Sequence, residues 1–198
     1  MPHRPPLACQ ALLAALTLLS PAWAAEPEGV TDDTATTAAA AGGGLLAAAS
    51  STWRHASDTR RYLEQGHWRV AFAPAAPHFR PSPEHEHVVA LAVERQRDDL
   101  WLAGFSLFSN SFGQPSAYAY LGRRHDAIGG VRPLFFQWSA GVIYGYREPY
   151  HNKVPLNVHG FSPGALVGLG WQFDRRRSAV VHLLGDAALM FQFSIDLR

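Results

Sequence analysis

The stretch "MFQFSIDLR", residues 190–198, decides the fold class because its polarity alternates at almost every residue. Its apolar positions are Phe191, Phe193, Ile195 and Leu197, and its polar positions are Gln192, Ser194 and Asp196. Successive side chains of a β-strand point to opposite faces, so this period of two predicts a strand with one apolar and one polar face. A soluble sheet can show such alternation, and a membrane-spanning barrel must show it, with the apolar set facing lipid.

The same period of two extends upstream to His67 and divides the chain into eight segments of strand length. The predicted strands cover residues 67–73, 86–95, 100–109, 116–124, 132–145, 162–173, 178–185 and 188–197. Turn and loop signals separate them. Eight strands suit the smallest common class of closed barrels, and closure pairs every strand, as a bilayer requires. We therefore predict an all-β fold, an eight-stranded antiparallel transmembrane β-barrel over residues 67–198.

Several predicted strands are apolar on both faces, namely "HVVALAV" (87–93), "LWLAGFSLF" (100–108) and "SPGALVGLGW" (162–171). If one face of such a strand contacts lipid, the other lines an apolar interior. The pattern therefore predicts a dry pocket inside the barrel, shaped for a hydrocarbon chain. The alternative that this pattern also allows is a soluble two-sheet sandwich with buried faces, such as a periplasmic lipid-binding β-protein.

The first segment of the chain has the features of an export signal. Arg4 precedes an apolar run from Leu7 to Leu19, and "AWA" at 22–24 forms a small-x-small cleavage pattern. Residues 1–24 are therefore predicted to be a secretory signal peptide. Cleavage removes Cys9, the one cysteine of the chain, so we expect no intramolecular disulfide in the exported protein.

Two further segments precede the predicted barrel. Residues 25–51 are rich in Ala, Gly, Thr and Ser, which bury too little apolar surface to offset ordering, and we predict a flexible leader. Residues 52–66 are predicted to form a basic amphipathic helix that ends at Gly66, with Trp53, Ala56 and Leu63 on one face. Such a helix can lie in a membrane interface, and packing against a soluble domain is the alternative.

Three short stretches, in this order along the chain, carry a resemblance to a known family. They are "FSNSFGQPSAYAYLG" (108–122), "NKVPLNVHGFSPGALVGLGW" (152–171) and "ALMFQFSIDL" (188–197). With the helix before them, they resemble the PagP-type lipid A palmitoyltransferases over roughly residues 52–198. The resemblance implies an outer-membrane barrel that moves a palmitoyl chain from a phospholipid to lipid A, with a site formed by a His, an Asp and a Ser.

Matched by position, the family's Asp-Ser pair falls on Asn110 and Ser111, and we assign the His to His78 because it directly follows the first strand. His67, His85 and His87 are alternatives. Acyl transfer needs a base for the acceptor's proton and a clamp on the developing oxyanion. His78 suits the first role, and Ser111 suits either the second role or that of a covalent nucleophile.

The match departs from the family at Asn110, because an Asn can orient a His but supplies no charge. Either the activity is weaker, or Glu84 or Glu86 substitutes for the carboxylate, or the chain only binds lipid. Whether transfer is direct or covalent is left open by the sequence, as are the acyl chain length and the acceptor position.

The resemblance implies two further functional positions. Gly122 matches the family's glycine on the interior floor, where a missing side chain sets how deep an acyl chain reaches. Pro155 and Pro163 lack the N–H groups that seal neighbouring strands, so they are candidates for a lateral lipid gate. The family's proline near the end of its seventh strand is replaced here by Leu184-Gly185.

We therefore predict a monomeric outer-membrane acyltransferase of a Gram-negative cell, with a phospholipid donor, a lipid A acceptor and surrounding membrane lipids as partners. The alternative is a non-catalytic small barrel with a transport or structural role. No cofactor is implied, and "HEH" at 85–87 is interpreted as a solvated loop rather than a metal site. The net charge of +1 argues against nucleic-acid binding.

Overall fold

The structure, a computed structural model, describes residues 50–198 of the chain. The predicted signal peptide and residues 25–49 of the predicted leader lie outside the described residues. The eight strands are β1 His67–Ala75, β2 Ala90–Gln96, β3 Trp101–Ser109, β4 Pro115–Asp126, β5 Leu134–Tyr144, β6 Phe161–Gln172, β7 Arg177–Leu184 and β8 Ala188–Leu197. Two short 3₁₀ turns, Ile128–Gly130 and His151–Lys153, lie between strands.

The strands form one closed antiparallel barrel, because each pairs with its neighbours in sequence and β8 pairs with β1, starting at Trp68 opposite Leu197. The predicted eight-stranded antiparallel barrel is confirmed. The largest difference in strand boundaries is at β2, predicted from residue 86 and observed from Ala90. The reason is that the Glu86 N–H donates to the carbonyl of Ser111 at 2.8 Å and is therefore held in the loop region.

The two ends of the barrel carry different connections. The end that we call the loop end carries residues 76–89, 110–114, 145–160 and 185–187. The opposite end, the turn end, carries residues 97–100, 127–133 and 173–176 and the last residue of the chain. Because residues 78 and 110–111 fall on the first two loop-end connections, the predicted site residues lie at the same end.

The outer wall of the barrel is apolar. Seven of the eight strands expose large apolar side chains on it, and β4 contributes Ala117, Ala119 and Leu121. The alternation predicted for the last strand is confirmed: its three polar side chains are at most 8% exposed, while its four apolar side chains are 41% to 56% exposed. A soluble monomer rarely exposes an apolar surface of this extent.

The part of the barrel interior nearer the turn end is occupied by a polar layer, formed by Arg69, Glu94, Tyr120 and Asp196. Arg69 Nε donates to Asp196 Oδ1 at 2.7 Å, and its Nη1 lies 3.8 Å from Glu94 Oε2. Tyr120 OH donates to Glu94 Oε1 at 2.7 Å. The three charged groups are at most 3% exposed, and buried charges of this kind are tolerated because they pair with one another.

The expectation of a dry, apolar interior is wrong at this level. The large apolar residues of the three stretches that suggested it point mostly outward, and their inward positions include small residues such as Ala92, Ser106 and Gly168. The inward-facing Glu94 directly follows the first stretch. An apolar cluster does remain between the polar layer and the loop end. It consists of Ala73, Ala76, Val88, Ala90 and Met190, with Phe108, Leu166 and Leu184 packed against them.

Inward-facing glycines make room for large side chains from neighbouring strands. A Cβ on Gly170 would meet the ring of Phe135 at 2.2 Å, and one on Gly104 would meet the ring of Tyr120 at 2.4 Å. The Gly-rich composition of β6 is thus explained by interior packing, because a narrow barrel holds a ring only where the opposing position is empty.

The N-terminal helix is interrupted. Residues 50–56 are helical, and α1 spans Thr59–Glu64, so the prediction of one continuous helix over 52–65 is not matched between these segments. Both the N–H and the Oγ of Ser57 bond to the carbonyl of Trp53, at 2.9 and 2.8 Å, and side-chain bonding of this kind competes with helix continuation. Residues 50 and 51, which were predicted to belong to the flexible leader, are also helical.

Helix α1 is attached to the turn end of the barrel. The carbonyl of Tyr62 accepts a 2.7 Å hydrogen bond from Arg95 Nε, and Arg97 stacks over the Tyr62 ring at 5.1 Å. Leu63 is 75% exposed, and a position of this helix in the membrane interface stays a prediction. Within residues 50–198, no helix is both long enough and apolar enough to cross a bilayer.

Candidate functional site

The structure brings His78 and Ser111 into direct contact at the loop end. His78 Nε2 and Ser111 Oγ are 2.7 Å apart, although 33 residues separate them in sequence. Residues 77–79 are held by backbone hydrogen bonds of 2.9 and 3.0 Å to residues 187–189, which extends the pairing of β1 with β8 beyond the strand. The backbone at His78 is therefore fixed by pairing with residues 187–189, and the imidazole is placed to take a proton from the Ser111 hydroxyl.

Asn110 shapes the turn that presents Ser111. It is 1% exposed, and its Oδ1 accepts hydrogen bonds from the N–H groups of Phe112 and Gln114, at 2.9 and 3.0 Å. Its own N–H donates to the carbonyl of Gln114, and its carbonyl accepts from Gly113. Asn110 makes no hydrogen bond to His78, so it holds the turn rather than orienting the imidazole.

Asn110→Ala is expected to destabilise the folded protein by about 1–3 kcal/mol, because two N–H groups lose their acceptor in a buried turn. Asn110→Asp keeps both acceptor bonds and is expected to keep the turn. Urea unfolding in lipid vesicles measures both. Ser109→Ala is the matched control, since the Ser109 Oγ makes one long contact of 3.5 Å. Equal stability of Asn110→Ala and Ser109→Ala would contradict this role.

A second histidine packs against His78. The His85 ring centroid lies 4.1 Å from that of His78, with the rings tilted by 31°. Burial, and secondarily the charge that His85 can carry, lower the pKa of His78, so His78 is neutral at neutral pH and able to act as a base. Among residues 50–198, no carboxylate hydrogen-bonds to His78, which leaves this pair without the third group of a triad.

Removing His85 is expected to change the pH dependence of any reaction that uses His78 as a base. A charged His85 disfavours protonation of His78, and His85 also shields it from water; loss of either effect raises the pKa of His78. The acid limb of the rate profile in His85→Gln should therefore move to higher pH. His87→Gln, altered at an exposed position, is the control. An unchanged acid limb, or a shift to lower pH, would contradict the prediction.

The alternative bases and carboxylates lie elsewhere. His67 is at the turn end, where its Nε2 is 3.2 Å from Asp196 Oδ2, and His87 is exposed. Glu84 pairs with Lys153 at 3.7 Å. In the part of the chain that the structure describes, no group of three His, Cys, Asp or Glu residues is arranged to hold a metal ion, and the 85–87 stretch is no exception.

Two loop-end connections, 110–114 and 145–160, are held together beside the pair. The side-chain amide of Gln114 bonds to the N–H of Arg147 at 3.1 Å and to the carbonyls of residues 147 and 148. Phe112 stacks on Tyr150 with ring centroids 4.3 Å apart. Sequence analysis missed Gln114, Phe112 and Tyr150, because nothing in the local pattern signals a contact between residues more than thirty positions apart.

Gly122 faces the interior but lies below the polar layer. The cavity in the barrel measures about 30 Å³ and is lined by residues that include Ala73, Ala90, Glu94 and Tyr120, and Gly122 is not one of them. A Cβ on Gly122 would meet the Trp138 carbonyl at 2.3 Å. A floor role for Gly122 stays a prediction, and it requires the Glu94–Tyr120 pair above it to move aside.

The wall has a gap between β6 and β7 at the loop end. The β6–β7 ladder runs only from Val167 opposite Leu183 to Gln172 opposite Ser178, whereas β6 residues 161–166 pair only with β5. The gap exists because β7 ends at Leu184, well short of the start of β6. It opens beside Leu166 and Leu184 of the apolar cluster.

The two candidate gate prolines have different positions. Pro163 pairs with Val142 of β5 but lies in the stretch of β6 that has no partner on β7, and it adds no N–H donor there, which suits an opening. Pro155 lies in the loop before β6, where its carbonyl accepts a 2.7 Å hydrogen bond from Ser162 Oγ. Pro155 thus helps to attach this loop to the start of β6, and it is not part of the gap itself.

Comparisons with known proteins return little. No family model matches the chain, and no curated protein matches it either. A solved structure described as "De novo design of transmembrane beta-barrels" is similar in part, with 9% sequence identity and a TM-score of 0.48. The match covers 68% of this chain and 98% of that chain.

Proposed function

We propose that this chain is an outer-membrane β-barrel that transfers an acyl chain from a glycerophospholipid to lipid A at the His78–Ser111 pair. The observation that carries the proposal is the 2.7 Å contact between His78 Nε2 and Ser111 Oγ. The lipid A acceptor and the palmitoyl-like chain come from the resemblance of residues 52–198 to the PagP-type enzymes.

Membrane insertion is supported by the chemistry of the outer wall. Bilayer hydrocarbon covers half-exposed side chains such as Leu107, Leu169 and Phe193, which water would leave unfavourably exposed. Closure of the sheet leaves no edge of unpaired backbone groups along most of the wall. The predicted signal peptide supports export, and for a barrel of this kind the destination is the outer membrane.

The chemistry proposed at the pair is acyl transfer through Ser111. His78 takes the hydroxyl proton as Ser111 Oγ attacks the ester carbonyl carbon, and the tetrahedral intermediate collapses with loss of the lysophospholipid, whose oxygen receives that proton from His78. The acceptor hydroxyl then loses its proton to His78 and attacks the acyl-serine. Ser111 leaves with the proton. The contact distance favours this covalent route over direct transfer, and labelling of Ser111 by a fluorophosphonate tests it.

The gap between β6 and β7 gives the donor chain a route into the barrel. The gap beside β6 residues 161–166 leads from the outer wall to the apolar cluster, which lies under the loop end that carries the pair. Methylenes placed there are each stabilised by about 0.8 kcal/mol. The cavity of about 30 Å³ is much smaller than a long acyl chain, so binding requires side chains such as Met190 to move.

The charged interior is a feature that a non-catalytic barrel would share, since small barrels commonly have polar interiors. Mass spectrometry of lipid A, from Gram-negative cells with and without the gene, separates the two functions. An added acyl mass that requires the gene supports the proposal, and unchanged spectra contradict it. Fractionation with outer membranes and heat-dependent gel migration are expected. Recovery of the protein as a soluble periplasmic protein would exclude insertion of the barrel in the outer membrane.

A further inference from the structure

Charge is distributed unevenly between the two ends of the barrel. The loop end has three cationic side chains and four carboxylates, whereas the strand ends and connections of the turn end have nine arginines and four aspartates. The turn-end set is Arg95, Arg97, Arg123, Arg124, Arg132, Arg175, Arg176, Arg177, Arg198, Asp98, Asp99, Asp126 and Asp174. The turn end is therefore the cationic end of the molecule, and it attracts anionic surfaces.

Not all of these arginines are neutralised within the protein. Arg97, Arg124 and Arg177 pair with aspartates close in sequence, and Arg198 approaches Asp196 at 3.8 Å. Within residues 50–198, five turn-end arginines have no acidic partner: Arg95, Arg123, Arg132, Arg175 and Arg176. Arg95 and Arg123 differ from the other three because they lie on strands, on the outer wall. Arg95 Nε donates to the carbonyl of Tyr62, whereas Arg123 Nε has no acceptor among the described residues.

Arg123 is the centre of a row of three outward-facing residues. The strand register places it opposite Trp101 of β3 on one side and opposite Trp138 of β5 on the other. Its guanidinium lies 5.4 Å from the centroid of the Trp101 ring, and the two indoles meet edge to face at 5.8 Å. Trp101 is only 5% exposed, so the row is a packed surface rather than three separate side chains.

The Arg123 guanidinium has unused hydrogen-bonding capacity. Its Nε is buried and has no acceptor among residues 50–198. A buried donor without an acceptor is uncommon, and a guanidinium prefers bidentate oxygen acceptors such as phosphate. Tryptophans near the ends of barrel strands lie at the level of lipid headgroups, and all four strand tryptophans are in the half of their strand nearer the turn end.

We propose that the row Trp101–Arg123–Trp138 binds the phosphodiester headgroup of an anionic glycerophospholipid in the leaflet around the turn end. The guanidinium contacts the phosphate oxygens, and Trp138, the more exposed of the two indoles, lies beside the glycerol backbone. The neighbouring Arg132, Arg175 and Arg176 add attraction for negative charge. The inference rests on the membrane insertion proposed above and does not depend on acyl transfer.

Native mass spectrometry of the protein in neutral detergent, titrated with phosphatidylglycerol or phosphatidylcholine, tests this site. The unaltered protein should retain phosphatidylglycerol preferentially. Arg123→Gln is expected to weaken phosphatidylglycerol binding about fivefold, leaving phosphatidylcholine binding unchanged. Arg123→Lys keeps the charge but loses the planar fork and should be intermediate. Arg177→Gln is the matched control, because Arg177 lies at the same end but pairs with Asp174.

Each other outcome overturns the site. Equal retention of the two lipids by the unaltered protein removes the anionic preference, and equal losses in Arg123→Gln and Arg177→Gln reduce it to general charge attraction. If inorganic phosphate displaces the retained phosphatidylglycerol as effectively as added phosphatidylglycerol does, the site binds free anions rather than a lipid. If the protein inserts into phosphatidylcholine vesicles but shows no preference for phosphatidylglycerol, only this site is overturned. If the protein fails to insert, the proposed membrane insertion is overturned as well.

Discussion

Ser111→Ala and His78→Ala are each expected to lower the rate of acyl transfer by about 10³-fold or more, with the barrel still folded. The reason is that the two groups act as one unit across a 2.7 Å contact, so either loss removes the activated nucleophile. The double variant should therefore be no slower than the single variants. Acyl transfer to lipid A, followed by mass spectrometry, gives the rate, and heat-dependent gel migration reports the fold.

Ser109→Ala and His87→Ala are the matched controls for this pair. Ser109 lies two residues before Ser111, and His87 lies in the same connection as His78 but is exposed. Both variants are expected to keep nearly full activity. Full activity in Ser111→Ala would exclude the covalent route, and full activity in His78→Ala as well would end the enzymatic interpretation of this site.

Arg69→Met is expected to reduce the free energy of unfolding by about 3–5 kcal/mol, the largest stability effect predicted here. The substitution keeps the size of the side chain but leaves the carboxylates of Glu94 and Asp196 buried without their shared cation. Urea unfolding in lipid vesicles measures the loss. Arg177→Met is the control, because the Arg177–Asp174 pair is exposed and contributes little.

The polar layer also allows a compensation test. If Arg69→Met destabilises the barrel because it leaves charges unpaired, the triple substitution Arg69→Met, Glu94→Leu and Asp196→Leu should recover most of the lost stability. A triple variant that is even less stable than Arg69→Met would show that packing, rather than charge pairing, is the main contribution of these residues.

The barrel could be predicted from sequence because its main signal is local. Alternation at period two along a strand such as β8 is dictated by strand geometry, and the polarity of each face follows from what covers it. The number of strands follows from turn chemistry that is equally local. The boundary at β2 could not be predicted, because a hydrogen bond to the distant Ser111 carbonyl holds Glu86 out of the strand.

The content of the interior was mispredicted for a related reason. In "SPGALVGLGW" the large residues except Leu166 point outward and the inward positions are mostly Gly, a distinction that depends on which of the two faces is the inside. Sequence alternation identifies the two faces of a strand, but it does not identify the side chains of other strands that pack against the inner face. Arg69 and Glu94 are opposite each other on the neighbouring strands β1 and β2, whereas Asp196 joins them only because β8 closes on β1.

The sequence by itself determined the class of the fold, the strand order along the chain and the candidate residues, because each depends on neighbours within a few positions. Only the tertiary structure decided which candidates meet. It selected His78 over His67 as the partner of Ser111, since antiparallel strands place residue 67 at the opposite end of the barrel. It also gave Asn110 a role in holding the turn, because the acceptors and donors around that amide belong to its own loop.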